Sequence, residues 1–386
     1  MKIGFEAKRA FTNTTGLGHY CRILTSSLAR MYKAHEYYLF TPKRTHLFDT
    51  SPYPNMHVVT PQTPIDKLFT AYWRSSNVKK DIAALGIDIY HGLSHEIPYG
   101  IHKLKGLKTV VTMHDLIIER YPELFNPIDV KIYRFKYKYA CRHADKIIAM
   151  SIQTKQDLID YYKIPEGKIE VCYPSSMKFF DRKASEAEKQ KIKETYKLPD
   201  QFFLSVGSII PRKNLITICK AYNELKGKMN IPLIVIGKGG KYKEEVKQYV
   251  AINGLNDRII FLNDEPHVQN IAGFKNGEDF PAIYQQALCM IYPSVFEGFG
   301  LPILEALQSG LPVITSNVSC LPETGGDAAY YVDPLSVQEM AGAIETIATN
   351  EQLRKEMIAK GYEHAAFFSQ ERRAERVMEL YQSMIK

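Results

Sequence analysis

The sequence lacks several features that would assign it to a well-marked class. No apolar run reaches the roughly 18 residues that a membrane-spanning helix needs. The N-terminus, MKIGFEAKRAF, interrupts its apolar residues with charge, unlike a secretory signal. The 6 cysteines show neither a CxxC motif nor a spacing paired with histidine, which predicts reduced core thiols. Because short repeats and low-complexity tracts are also missing, we expect a soluble, cytoplasmic, globular protein.

The chain is long enough for two domains, and its positive charge is concentrated in one half. It has 386 residues, of which 45% are hydrophobic. Residues 1–180 hold 26 lysines and arginines against 16 acidic residues, which makes this half strongly basic. The segment 130–146 carries basic residues at steps of three and four, which predicts one cationic helix face. These residues are Lys131, Arg134, Lys138, Arg142 and Lys146.

Two interpretations of this basic face stay open. It is either a solvated helix face or a surface attracted to anionic lipid headgroups or to an acceptor that bears pyrophosphate. Nucleic acid is not an expected partner, because no recognised binding motif accompanies the charge.

Short apolar segments alternate with stretches long enough for helices in both halves. Strands are expected at 2–5, 37–40, 87–92, 109–115 and 146–151, and again at 201–208, 232–237, 258–262, 289–294 and 312–316. This alternation predicts an α/β protein with two doubly wound parallel sheets of similar size. We place the first domain at 1–180, a charged helix or linker at 181–197 and the second domain at 198–365. A C-terminal helix at 366–386 is expected to cross back to the first domain.

The most informative segment is EGFGLPILE at 297–305. Its acids, Glu297 and Glu305, flank a glycine-rich turn and a helix start, and an apolar strand precedes them. Helix N-termini attract phosphate oxygens, and carboxylates accept hydrogen bonds from sugar hydroxyls. The segment therefore predicts a site for a phosphorylated, polyhydroxylated ligand at the carboxyl end of a strand. The intervening backbone expected to meet this ligand belongs to Gly298, Phe299, Gly300 and Leu301.

Other candidates also follow predicted strands. Arg212 and Lys213 follow the strand at 201–208 and could neutralise a diphosphate, or could form plain surface ion pairs. Gly16 and Gly18 lie in a polar turn before a helix that we expect to begin at Tyr20. This turn suits close approach of backbone to phosphate, although a GxG can be a simple tight turn. His114 ends an apolar strand, where a lone histidine is by default a structural hydrogen-bonding residue.

Several segments, taken together and in order, resemble the retaining glycosyltransferases of family 4. In the second half these are VGSIIPRKNL, IGKGG and PSVFEGFGLPILEALQSGLPVITSNVSCLPETGGDAAYYVDP. In the first half they are TTGLGHY, VTMHDL and ADKIIAMSIQTKQDL. The resemblance implies the GT-B fold, in which two Rossmann-like doubly wound domains face a central cleft. It also implies that the first domain binds the acceptor and the second binds the nucleotide-sugar donor.

The resemblance further implies a role for each candidate residue. Arg212 and Lys213 would bind the donor diphosphate, and His114 and Glu297 would contact the transferred sugar close to its reacting carbon. Glu305 would hydrogen-bond the ribose. The sequence departs from the family pattern at Ser208, where many members have arginine, and in a longer segment at 263–280. The sequence offers no isolated candidate for a carboxylate nucleophile. The resemblance implies front-face attack, in which the departing diphosphate oxygen takes the acceptor proton, and we adopt this as a hypothesis.

The resemblance implies a retaining hexosyltransferase, and we expect it to need no metal or other cofactor. No two aspartates stand two positions apart, so the D-x-D motif of many metal-dependent glycosyltransferases is missing. We expect GDP-mannose as donor, with a UDP- or dTDP-sugar as alternatives. The expected acceptor is a lipid-linked glycan or a surface polysaccharide, handled at the inner face of the plasma membrane.

Two alternatives share the same fold. One is a glycosyltransferase with a soluble sugar acceptor, and the other is a protein that binds nucleotide or polysaccharide without catalysis. A dinucleotide oxidoreductase is disfavoured, because the glycines near the first strand lack the full GxGxxG motif.

Overall fold

The chain folds into two compact units, as described for residues 1–385 by a computed structural model. The first unit comprises Met1–Ser175 together with the C-terminal segment from Ser369 onward. The second unit comprises Ser176–Phe368. The division between the units thus falls a few residues before the position expected from the sequence.

The first unit is built on a parallel sheet of seven strands in the order β3-β2-β1-β4-β5-β6-β7. Val110 and Ile148 enter one hydrophobic core, whereas their sequence neighbours Val111 and Ile147 enter another. The sheet is therefore buried on both faces, as its continuous apolar runs predict. The strands are β1 (Lys2–Glu6), β2 (Glu36–Phe40), β3 (Met56–Val59), β4 (Ile89–Gly92), β5 (Lys108–Met113), β6 (Lys146–Ala149) and β7 (Ile169–Val171).

Parallel neighbours need crossover connections, and most of the connections between these strands contain α-helices. Ser151 caps one helix by accepting a hydrogen bond from the backbone N–H of Thr154 at 3.0 Å. The helices are α1 (Lys8–Thr12), α2 (Gly16–Met31), α3 (Pro64–Leu68), α4 (Thr70–Tyr72), α5 (Lys79–Leu85), α6 (Ile117–Arg120), α7 (Pro127–His143) and α8 (Ile152–Tyr162).

The second unit repeats the plan with six parallel strands in the order β10-β9-β8-β11-β12-β13. Its strands are β8 (Phe203–Val206), β9 (Leu233–Ile236), β10 (Ile259–Phe261), β11 (Cys289–Tyr292), β12 (Val313–Ser316) and β13 (Ala329–Val332). Its helices are α9 (Glu186–Tyr196), α10 (Leu215–Glu224), α11 (Lys241–Ile252), α12 (Ala272–Asn276), α13 (Phe280–Tyr284), α14 (Leu301–Gln308), α15 (Leu321–Gly325), α16 (Val337–Thr349) and α17 (Glu351–Ala365).

The last helix, α18 (Gln370–Ile385), belongs to the first unit. Its residues Val377 and Tyr381 are fully buried in the core that also contains Phe5 of β1. The Tyr381 hydroxyl lies 2.6 Å from Nδ1 of His91, so polar contacts join the helix to the sheet as well. Within residues 1–385, no helix combines the length and the apolar character needed to cross a lipid bilayer.

The structure corrects several local predictions. Strands β3, β7 and β13 were not expected, because they are short and only partly buried and so lack an apolar run. Of the two possibilities given for the segment 181–197, a helix or a linker, the structure shows the helix, since α9 buries Ile192 and Tyr196 within the second unit. The predicted cationic helix face is shorter than expected, because α7 ends at His143 and Lys146 begins β6, while the other four basic residues keep their spacing of three and four within α7.

Candidate active site

A short loop after β8 places two cations at the carboxyl edge of the second sheet. Residues Pro211–Lys213 form one turn of 3₁₀ helix, and Asn214 follows in the left-handed conformation with φ of 57°. Asparagine tolerates this conformation, and its side-chain amide donates a 2.6 Å hydrogen bond to the carbonyl of Pro334. The Arg212 carbonyl also accepts a hydrogen bond from the N–H of Val295 at 2.9 Å. The loop is thereby fixed to the segment that follows β11.

Glu297 lies between the two cations and binds both. One carboxylate oxygen, Oε2, lies 2.8 Å from Nη1 of Arg212, and the other, Oε1, lies 2.9 Å from Nζ of Lys213. Oε1 also accepts hydrogen bonds from the hydroxyls of Tyr292 and Ser294 at 2.9 and 2.8 Å. The three charged groups carry a net charge of about +1 at neutral pH. We call Arg212, Lys213 and Glu297 the charged triad.

The carboxylate of Glu297 stays ionised although the residue is only 8% exposed. Burial by itself would raise its pKa, but Lys213 and Arg212 outweigh burial and lower the pKa to about 2. The backbone of Glu297 is also fixed, because its N–H donates to the Ser319 hydroxyl at 3.2 Å and its carbonyl accepts from that hydroxyl at 2.9 Å. The carboxylate is therefore held rigidly as an anion.

Gly207 leaves room for the Lys213 side chain. Its φ of +142° disfavours any other residue, and a Cβ at this position would lie 3.2 Å from Cδ of Lys213. A side chain here would push the lysine stem away from Glu297. Gly207 was not among the predicted site residues, although it directly follows the strand that leads to Arg212 and Lys213.

The glycine-rich turn of EGFGLPILE leads directly into α14. Gly300, with φ of +96°, precedes the first helical residue Leu301, and a Cβ at Gly300 would approach the Leu321 side chain to 3.0 Å. Phe299 is buried and contacts the ring of Phe368. Gly298 lies in the bend that joins Glu297 to this turn. The backbone predicted to meet the ligand thus lies at a helix N-terminus next to the charged triad.

Glu305 lies within α14, one face of which is buried. The Tyr284 hydroxyl donates a 3.2 Å hydrogen bond to its Oε2. Burial raises the pKa of Glu305 to about 7, and neither this hydrogen bond nor the nearby Lys213 offsets the shift. Glu297 and Glu305 therefore differ chemically, since one is fixed as an anion and the other changes protonation near neutral pH.

The first unit holds the remaining candidates, and two of them are not where the sequence placed them. Gly16 and Gly18 lie in the first turn of α2, because this helix begins at Gly16 and not at Tyr20 as expected. A Cβ at Gly18 would lie 1.9 Å from the carbonyl oxygen of Asn13, so glycine is required here by packing. The Asn13 side chain already accepts hydrogen bonds from the N–H groups of Thr15 and Gly18.

His114 directly follows β5 and is held by its backbone and by its ring. Its N–H donates to Nε2 of His95 at 2.9 Å, and its own Nε2 lies 2.8 Å from the carbonyl oxygen of Leu93. Because a carbonyl only accepts, Nε2 carries the proton, and Nδ1 is the acceptor in the neutral ring. Burial lowers the pKa of His114 to about 3, so the ring is neutral at physiological pH.

The structure thus groups the candidates within each unit. In the second unit Arg212, Lys213 and Glu297 are in direct contact, and Glu305 lies in the helix that follows. In the first unit the ring of Tyr20, from the start of α2, packs edge-on against His114 at 4.6 Å. Sequence reasoning missed the residues that hold Glu297 in place, namely Tyr292, Ser294 and Ser319.

Known proteins share both the sequence and the architecture. Residues 14–175 match Glycosyltransferase Family 4, and residues 186–364 match Glycosyl transferases group 1. The chain is 32% identical over 288 residues to O-antigen chain mannosyltransferase B of Escherichia coli, and this aligned region covers 73% of this chain and 71% of that relative. It is 31% identical over 271 residues to the serotype-specific mannosyltransferase WbdA of Escherichia coli, and this aligned region covers 68% of this chain but only 32% of that relative.

A solved structure gives the same result for the fold. The crystal structure of HepE from Anabaena in complex with UDP-glucose superposes with a TM-score of 0.73 at 18% identity, over 99% of this chain and 100% of HepE. The fold class predicted from the sequence is therefore confirmed: the two parallel sheets form the GT-B architecture. The chain belongs to the family 4, or group 1, glycosyltransferases.

Proposed function

We propose that this glycosyltransferase transfers a hexose, with retention of anomeric configuration, from a nucleotide-sugar to a lipid-linked or polysaccharide acceptor in cell-surface polysaccharide synthesis. The charged triad is the observation that carries the donor assignment. Its net positive charge lies at the carboxyl ends of β8 and β11, beside the N-terminus of α14, where a diphosphate would be stabilised. Arg212 and Lys213 neutralise the leaving group in this proposal, so no divalent cation is required.

The other candidates take complementary roles in the proposal. Glu305 accepts hydrogen bonds from the ribose, and Glu297 and His114 contact the transferred sugar. His114 is suited to this role because it is neutral and carries an acceptor at Nδ1 that can receive a sugar hydroxyl proton. The departing diphosphate oxygen takes the acceptor proton in a front-face attack.

GDP-mannose is our proposed donor, and similarity supports its sugar, because the relatives with about 30% identity are named mannosyltransferases. UDP-glucose is the second candidate, since HepE is seen with this compound in its crystal structure. The base can be identified by the thermal unfolding of the protein with UDP, GDP, dTDP and ADP, because a ligand that binds only the folded state raises the midpoint. We expect GDP to raise it most. Stabilisation by none of the four would contradict the donor assignment.

A transfer assay with the corresponding labelled sugar nucleotide then tests the chemistry. We expect an α-linked product from an α-linked donor, and we expect the rate to persist in excess EDTA. Product of inverted configuration would contradict the assignment of a retaining mechanism. Loss of the rate in EDTA with recovery on adding a divalent cation would contradict the role given to Arg212 and Lys213.

The lipid-linked acceptor is supported by the surface of α7. Ile128, Ile132 and Phe135 recur at helical spacing and are 68%, 46% and 63% exposed. Lys131 is exposed between them. An apolar stripe with adjacent basic residues is typical of helices that lie in the interface of an anionic membrane. We propose that this stripe, rather than the basic face expected from the sequence, contacts the membrane.

A further inference from the structure

The C-terminal helix α18 carries a buried arginine into the first unit. Arg373 is only 4% exposed, and at steps of four it is followed by Val377 and Tyr381, which are also buried. Within residues 1–385, Nε and Nη1 of Arg373 have no hydrogen-bond partner, and no carboxylate pairs with the guanidinium. Arginine stays protonated in proteins, and burial of a charge without an acid is energetically unfavourable. An apolar side chain of similar volume would pack at least as well, so packing alone does not account for this charge.

The guanidinium of Arg373 is directed at Tyr20 of α2. It lies over the Tyr20 ring, with its central carbon 4.7 Å from the ring centroid. Its Nη2 donates to the backbone carbonyl of Tyr20 at 3.4 Å. A cation is attracted to the face of an aromatic ring, and the attraction is stronger where water is excluded. Arg373 therefore holds both the ring and the backbone of Tyr20.

The hydroxyl of Tyr20 is connected to the same helix by a second route. It lies 3.1 Å from Oγ1 of Thr112, and this oxygen lies 2.8 Å from Nε2 of His91. Nδ1 of His91 in turn lies 2.6 Å from the hydroxyl of Tyr381. Burial lowers the pKa of His91 to about 3, so one nitrogen of its neutral ring donates and the other accepts. The hydrogen bonds of this chain therefore run in one direction, and each orients the next.

Tyr20 is also in contact with the ring of His114. The two ring centroids lie 4.6 Å apart, and the ring planes are nearly perpendicular at 86°. The Leu93 carbonyl holds Nε2 of His114, and the His95 ring packs against the imidazole at 5.1 Å. One hydrogen bond at Nε2 leaves the imidazole free to tilt, so the packed rings determine the direction of Nδ1. Of these neighbours, Tyr20 is the one held by α18 through both routes.

We propose that Arg373 and Tyr381 are positioning residues for His114 and act through Tyr20. The proposal rests on the transferase function proposed above and adds two residues of the C-terminal helix to those that determine its rate. Neither residue touches the substrate. They fix Tyr20 at its ring and at its hydroxyl, so that Nδ1 of His114 keeps one direction toward the sugar hydroxyl. A small misplacement of such a group slows the reaction, whereas the charged triad of the second unit still binds the nucleotide.

NMR and kinetics on the full chain with isotope-labelled histidine test this role. Arg373→Met removes the charge, Arg373→Lys keeps a cation, and Tyr381→Phe removes one hydroxyl. The matched control is Arg376→Met, because Arg376 is an exposed arginine of the same helix that pairs with Glu170. The ring signal of His114 is identified by its absence in His114→Gln. Turnover is measured with the sugar nucleotide chosen by thermal shift and with octyl α-mannoside as a lipid-like acceptor.

We expect the His114 ring signal to shift in Arg373→Met and in Tyr381→Phe, because the ring current of Tyr20 changes with its position. The signal should return toward its wild-type position in Arg373→Lys. In the first two variants kcat should fall by about fivefold or more, while nucleoside diphosphate affinity stays within about twofold of wild type. Arg376→Met should match wild type in all three measurements.

An unshifted His114 signal in both Arg373→Met and Tyr381→Phe, an unaltered kcat in both, or a loss of nucleotide affinity equal to the loss of kcat would overturn the proposal. If Arg373→Met does not fold, Tyr381→Phe decides alone by the same criteria. His114→Gln separates the two claims. Unaltered kcat in His114→Gln contradicts the proposed function of this histidine. A fall of kcat in His114→Gln together with any of the three adverse results contradicts the positioning role alone.

Discussion

Lys213 and Glu297 form a largely buried ion pair in which the ammonium nitrogen lies 2.9 Å from Oε1 of the carboxylate. Arg212 binds the other oxygen of the same carboxylate at 2.8 Å. Glu297 therefore orients both cations before any donor is present. The sequence predicted separate tasks for these residues, with Glu297 on the sugar and the cations on the diphosphate. Direct contact means that a change in any one of them alters the other two.

Replacing Glu297 with glutamine should separate turnover from nucleotide binding. The variant removes the negative charge that orients Arg212 and Lys213, so we expect turnover to fall about 100-fold or more. Nucleoside diphosphate should bind at least as tightly as to wild type, because the local positive charge increases. Steady-state kinetics and calorimetry check the two parts, with Glu345→Gln on the exposed surface of α16 as control. Unaltered turnover would contradict the role given to Glu297.

Gly207→Ala should weaken donor binding without touching a charged group. The positive φ and the 3.2 Å approach to Lys213 predict strain of about 1–3 kcal/mol and a displaced ammonium group. Nucleoside diphosphate affinity should fall by about tenfold. Gly342→Ala is the matched control, since its Cβ would meet no atom within 4 Å and alanine favours the helix α16. Equal affinity in the two variants would show that the space at Gly207 does not position Lys213.

The protonation of Glu305 should make stability depend on pH. Its pKa is raised to about 7 in the folded protein, so between its ordinary value and about pH 7 only the folded state holds the proton. The stabilising contribution is therefore present at low pH and is lost as pH rises through about 7. Relative to Glu305→Gln, wild type should lose on the order of 1–3 kcal/mol between pH 4.5 and 7.5. Thermal unfolding midpoints of the two proteins that run parallel across this range would contradict the shift.

The apolar stripe of α7 should determine binding to anionic vesicles. Replacing Ile128, Ile132 and Phe135 together with serine removes exposed apolar area, so the fold should persist while vesicle affinity falls by about tenfold or more. Sedimentation with phosphatidylglycerol vesicles measures the effect, and Ile252→Ser controls for loss of an exposed isoleucine in the second unit, where Ile252 is 78% exposed. Binding that is unchanged by the triple substitution would favour a soluble acceptor.

The long apolar segments allowed the sheets to be predicted from sequence. Strands such as β5 and β11 are continuous buried runs, and their alternation with helices indicated two parallel sheets. Strand β13 could not be found in this way, because three of its four residues are only partly buried. The start of α2 was misplaced because glycines inside a first helical turn have the same composition as a loop. Only the position of Asn13 in space explains why Gly18 must be glycine.

The sequence identified individual residues of the candidate site but not the contacts between them. Lys213 and Glu297 were identified, yet 84 positions separate them and no local pattern states that they touch. Ser319 could not be found either, since its contact with the Glu297 backbone depends on a left-handed φ of 60° in a loop after β12. Contacts of this kind arise from the meeting of loops at one sheet edge, which sequence spacing does not encode.

Calorimetry of nucleoside diphosphate and monophosphate binding to wild type and Lys213→Ala tests the central claim most directly. The base is the one that gives the largest thermal shift, and Lys220→Ala, an exposed lysine of α10, is the control. If the charged triad binds the diphosphate, wild type and Lys220→Ala should prefer the diphosphate by about tenfold or more, and Lys213→Ala should lose this preference. Monophosphate affinity should stay the same in all three proteins. A preference that survives in Lys213→Ala, or an equal loss of both nucleotides, would contradict the assignment.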